Sequence, residues 1–166
     1  PELLAEADRL RENRRYLPGV PLPDGLCLES DLTRAMDQAE VAVVSVPSKA
    51  FREITGRMSG FNGILVSTTK GIEHATGKTM CQILAETAPR ARVAALSGPT
   101  LAAEVARGVP TAVAAASPQS DIAEQVQELF HRPTFRVYTS TDVIGVELGG
   151  ALKNVVAIAD TDEGTS

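Results

Sequence analysis

Residues 41–68, VAVVSVPSKAFREITGRMSGFNGILVST, decide the fold. An apolar run at 41–46 reads as a strand, the segment at about 48–58 as an amphipathic helix, and the run at 63–68 as a second strand. Runs this apolar fit strands covered on both faces, as in a sheet with helices above and below. The same alternation extends in both directions. It predicts helices at about 31–38, 77–87, 100–107 and 119–130, strands at 92–97 (RVAALS), 111–117 (TAVAAAS) and 135–140 (FRVYTS), and a long apolar helix from about 141. The fold class is therefore α/β, a doubly wound, Rossmann-like sheet ending in that helix. Upstream, LPGVPLPDGLCLES (17–30) carries three prolines and two glycines and reads as a connector with a short strand at 25–28.

In such sheets ligands bind beyond the carboxyl ends of the strands. The segments there are PSKA after 46, TKG after 68 and GPTLAAE after 97. Pro47 stops a ladder, Gly71 and Gly98 allow close approach, and Pro99 can open a helix whose N-terminus attracts anions. Glycine and proline also simply punctuate strand ends, and for any one loop that reading stands beside the functional one.

The stretch STTKGIEHATGKT (67–79) ends like a phosphate-binding loop. That loop needs four residues between its first glycine and GK[ST], so that backbone N–H groups wrap the phosphates, whereas five residues separate Gly71 from Gly77. The apolar run also ends too early for it. HATGKTMCQILAE instead reads as a helix entrance capped by Thr76 or the glycine, with Met80, Ile83 and Leu84 on the apolar stripe. Interest moves to Lys70, at the carboxyl end of its strand.

Composition limits the partners. With 16 basic and 21 acidic residues and net charge −5, the chain offers no electrostatic footprint for nucleic acid. No apolar run reaches the roughly 18 residues of a membrane span. Cys27 and Cys81 lack metal or redox spacing, and His74 and His131 are isolated, so no metal site is expected and the default location is the cytoplasm.

The final helix, DVIGVELGGALKNVVAIAD (142–160), is apolar almost all round yet contains Glu147, Lys153 and Asn154. A lysine there must snorkel, pair with Glu147, or face a wet cleft. Gly149, Gly150 and Ala151 suit the close approach of another backbone or a flat ligand.

Taken together, RYLPG (15–19), VPSKAFRE (46–53), TKGIE (69–73), SGPTLAAEVARGVPTAV (97–113) and FRVYTSTDVIGVELGGALKNVVAIA (135–159) resemble bacterial NAD(P)-dependent glycerol-3-phosphate dehydrogenase. The resemblance implies an oxidoreductase using NAD or NADP, with hydride transfer to dihydroxyacetone phosphate giving sn-glycerol 3-phosphate for glycerophospholipid synthesis. It makes Lys153 the catalytic proton donor and Asn154 an orienting, substrate-binding group. Lys70 falls near both nicotinamide and substrate, Gly98 and Thr100 meet the substrate, and Ala102 and Pro47 meet the cofactor.

The family pattern also has a strand and GxGxxG turn before this sequence and a helical substrate domain after it. The expectation is thus a partial dinucleotide-binding domain at 1–140, lacking its first βα unit, and the start of a truncated helical domain at 141–166. Such a chain is expected to be inactive by itself and inclined to self-associate, with a homodimer possible. The alternatives are a related dehydrogenase acting on another hydroxy compound, a non-catalytic remnant serving as a binding module, and a P-loop phosphotransferase, the last disfavoured by its spacing.

Overall fold

The computed structural model describes residues 2–151. Five strands form one sheet in the order β1-β2-β3-β4-β5: β1 (Val41–Val44), β2 (Ile64–Ser67), β3 (Arg92–Ser97), β4 (Thr111–Ala116) and β5 (Phe135–Ser140). The helices are α1 (Glu2–Leu10), α2 (Leu32–Ala35), α3 (Ser48–Gly56), α4 (Met80–Thr87), α5 (Ala102–Ala106) and α6 (Ser120–Phe130), followed by a helical run at 143–151. Among the described residues no helix is long and apolar enough to cross a membrane. The expected long final helix lies largely outside the described residues.

Side chains alternate across the sheet, so β1–β3 feed two cores, while β4 and β5 contribute to the first of them. Ile64 and Val66 join Ala94, Leu96, Val113, Ala115 and Val137 beneath Ile122 and Val126 of α6. Leu65 points the other way and packs with Phe51 of α3 and Met80, Ile83 and Leu84 of α4. All four residues of β2 are buried, which explains why its sequence shows no polar alternation. Each large apolar side chain withdrawn from water here contributes about 1.5–3 kcal/mol.

Strand direction supplies what alternation alone could not. β1, β2 and β3 are parallel, β3 and β4 antiparallel, and β4 and β5 parallel. The reversal follows from the short connection through five-residue α5: Ser97 at the end of β3 lies opposite Ala114, the fourth residue of six in β4. The carboxyl ends of β1–β3 therefore share one sheet edge with the starts of β4 and β5.

Two expectations are corrected. Residues 25–28 form no strand, because the Arg11 guanidinium donates to the carbonyl oxygens of Pro23 (2.6 Å) and Leu26 (3.0 Å) and holds the connector as an irregular turn. The cap of α4 is Thr79, not Thr76 or a glycine. Thr79 accepts from the Gln82 backbone N–H while the Gln82 side chain accepts from the Thr79 N–H, a reciprocal capping box. Gly77, at φ +69°, serves instead in the turn before it.

Candidate functional site at the sheet edge

The loop after β2 is held against β1 before it reaches Lys70. The Thr68 N–H donates to the Val44 carbonyl (3.1 Å), and the Thr69 hydroxyl donates to that of Val46 (2.8 Å). Lys70 then crosses the end of β3. Its ammonium donates to the Gly98 carbonyl oxygen at 2.8 Å and to Thr100 Oγ1 at 3.1 Å. The Thr100 N–H also donates to the Gly98 carbonyl (2.9 Å), so one oxygen organises both the turn and the lysine.

Glycine is required in that turn for a steric reason. A Cβ on residue 98 would stand 2.8 Å from the Ala112 carbonyl oxygen and 2.9 Å from Val113 Cα, both backbone atoms of β4. The helical run at 143–151 approaches from the other side. A Cβ on Gly150 would collide with Ser97 Oγ and lie 3.7 Å from Lys70 Cγ, so this glycine lets the helix rest on the lysine stem.

The strand ends of β1–β3, the turn at Gly98 and α5 line a cleft of about 550 Å³ whose wall includes Ser45, Thr68, Lys70, Ser97, Thr100 and Ala102. It is chiefly apolar with a few convergent polar groups, the usual character of a small-molecule site. Ser97 Oγ is buried and has no hydrogen-bond partner among the described residues. A separate cleft of about 440 Å³ opens at the opposite ends of β1 and β2 against α6, with Glu128 and Arg132 on its wall and no lysine.

Beneath the site, Glu147 is buried and its Oε1 accepts from the Cys81 N–H in the first turn of α4 at 2.9 Å. Burial, followed by the nearby Glu147 charge, pushes the Cys81 thiol well above its ordinary range. Glu147 thus joins the 143–151 helix to α4.

Of the residues singled out from sequence, Lys70, Gly98, Thr100 and Ala102 converge on the cleft. Pro47 is exposed at the entrance of α3 and does not line it. Lys153 and Asn154 lie outside the described residues. Sequence reasoning passed over Ser45, Thr68 and Ser97; each stands at or just past a strand end, which was the available signal.

The family described as NAD-dependent glycerol-3-phosphate dehydrogenase N-terminus matches residues 1–123. The chain belongs to this family. A glycerol-3-phosphate dehydrogenase (NAD(P)+) from Pelotomaculum thermopropionicum is 48% identical over 163 residues, covering 95% of this chain and 47% of that protein. A relative of the same description from Ectopseudomonas mendocina is 50% identical over 162 residues, again covering 95% and 47%. The crystal structure of glycerol-3-phosphate dehydrogenase from Coxiella burnetii superposes with a TM-score of 0.88 at 35% identity, covering 95% of this chain and 49% of that one. The chain spans about half the length of the curated relatives it matches. Membership of the glycerol-3-phosphate dehydrogenase family agrees with a Rossmann-like α/β sheet.

Proposed function

We propose that this chain carries the cofactor-facing side of a glycerol-3-phosphate dehydrogenase site, for hydride transfer between NADH or NADPH and dihydroxyacetone phosphate to give sn-glycerol 3-phosphate. The observation that carries the proposal is Lys70, a cation anchored to Gly98 and Thr100 on the wall of a cleft at the strand-end edge. The donor set suits the ligands. A fixed ammonium favours phosphate or a developing alkoxide, and the buried Ser97 hydroxyl has hydrogen-bonding capacity to offer.

A nicotinamide cofactor, when bound, supplies or accepts the hydride. This chain's residues bind, orient and move the proton. In the reductive direction Lys153 gives a proton to the oxygen of the substrate ketone, whose carbon takes the hydride, and Asn154 orients the reacting groups. Gly98 and Thr100 meet the substrate and Ala102 meets the cofactor, roles that rest on the family resemblance; Pro47, exposed and off the cleft wall, is assigned no contact there. Cytoplasmic location, phospholipid supply and a homodimer belong to the same proposal on the same support.

The test is a fluorescence titration of the purified chain with NADH and with NADPH. Lys70→Ala is expected to weaken binding by about tenfold or more, the usual consequence of losing a charge-assisted contact. Saturable binding untouched by Lys70→Ala would refute the assignment. Loss on Lys78→Ala alone would point to a GKT-type grip, and a folded chain that binds neither nucleotide would favour the non-catalytic binding module.

A further inference from the structure

Lys70 stands at the start of a segment that is mostly exposed between Ile72 and Gly77. Gly71 has φ +130° and Gly77 φ +69°, and the exposed stretch His74–Gly77 turns back on itself. Local backbone bonds close the turn: the Glu73 N–H donates to the Lys78 carbonyl (2.8 Å), the Gly77 N–H donates to that of Glu73 (2.8 Å), and Ile72 bridges Thr79. These bonds shape the turn and lead it into the Thr79 cap of α4, on whose far side Lys78 pairs with Glu86.

Arg52 adds the attachment to α3. Its Nε donates to Glu73 Oε1 at 2.7 Å and its Nη2 to Glu73 Oε2 at 2.8 Å, a two-pronged guanidinium–carboxylate pair. Its Nη1 reaches Glu86 of α4 at 2.9 Å. Thr76 Oγ1 donates to the same Glu73 carboxylate, which is largely shielded from solvent. Thus one guanidinium ties the turn to two helices, three residues beyond the lysine whose ammonium must reach Gly98.

We propose that Arg52 is a positioning residue for the Lys70 site, acting through Glu73 to hold the 70–79 turn and hence the lysine at the cleft. The inference rests on the functional reading above and assigns Arg52 no contact with ligand. A planar fork is the essential property, so lysine, which keeps the charge but not the fork, does not substitute.

Two measurements on the whole chain test it. Hydrogen exchange of Arg52→Ala and Arg52→Lys, which needs no ligand, is expected to accelerate across 70–78 while β3, β4 and β5 keep their protection. In NADH titrations both variants are expected to bind about fivefold more weakly, the loss that follows if the competent arrangement falls to about one-fifth of the population. In a Lys70→Ala background the same Arg52 changes are expected to alter affinity by less than about twofold, because the coupled partner is already gone. A general loss of stability would weaken both backgrounds alike.

Unchanged exchange at 70–78, full rescue by Arg52→Lys, or an equal loss with and without Lys70 overturns the proposal. If the wild-type chain binds no nicotinamide nucleotide, the functional reading falls and the positioning role falls with it. Unchanged exchange with wild-type binding intact overturns the clamp alone.

Discussion

Gly98→Ala is the sharpest test of how the site is built. The added methyl would lie 2.8 Å from the Ala112 carbonyl oxygen and 2.9 Å from both Val113 Cα and Val113 Cγ1. Those backbone atoms cannot step aside freely, since Ala112 and Val113 are in register with Arg136 and Val137 of β5. Overpacking of this kind costs about 1–3 kcal/mol. For a domain near 150 residues, a cost of about 2 kcal/mol lowers Tm by roughly 4–8 °C. The shift also moves the carbonyl that receives the Lys70 ammonium, so NADH affinity is expected to fall together with Tm. Gly149→Ala is the matched control: its methyl meets nothing within 4 Å, and alanine in a helix gains about 0.5–1 kcal/mol over glycine. Circular dichroism melts and NADH titrations of both variants decide the matter. Equal Tm values for wild type and Gly98→Ala, or a comparable fall in Gly149→Ala, would refute the steric argument.

Two further outcomes follow from ionisation. Hydrogen bonding from Arg52, then from Thr76, depresses the Glu73 pKa from 4.5 to about 2, so its stabilising effect is complete above the unfolded value and lost as pH falls through the folded one. Exchange protection of 70–78, corrected for the intrinsic pH dependence of exchange, is accordingly expected to stay level between about pH 5 and 9 and to decline between about pH 4.5 and 2; a decline near neutrality would contradict the pairing. The two cysteines should separate cleanly under a thiol reagent at pH 8: exposed Cys27 reacts at once, whereas buried Cys81, with its thiol held protonated, reacts only on unfolding. Two fast-reacting thiols in the native chain would show that Cys81 is not buried beside Glu147.

The fold was legible where burial dictates residue type over several positions. The runs at 92–97 and 135–140 match β3 and β5 to the residue, and Met80, Ile83 and Leu84 are all fully buried on α4. It was illegible where a distant group decides. The short apolar run at 26–28 looks like a strand, yet Arg11, 15 residues before Leu26, takes that residue's carbonyl and leaves the segment irregular. Direction was hidden too: a helix between two strands is compatible with either sense, and only the brevity of α5 turns β4 back along β3.

The site shows the same division within one stretch, STTKGIEHATGKT. Lys70 could be placed from sequence because it follows a buried strand, and the end of a strand in such a sheet is where ligands bind. Its meeting with Gly98 and Thr100, across 28 and 30 residues, followed once β2 and β3 were neighbours. Arg52 and Glu73 carried no such signal, being 21 residues apart on a helix and in a turn, with neither at a strand end. The GKT that imitates a phosphate loop is explained by the same turn. Gly77 supplies a left-handed corner open to solvent, Lys78 pairs with Glu86, and Thr79 caps α4. Every residue of that triplet has a structural task, and all three tasks close the turn that begins at Lys70. The two lysines of the stretch therefore divide the work: Lys78 helps fasten the turn to α4 on the outside, while Lys70 delivers its charge to the cleft.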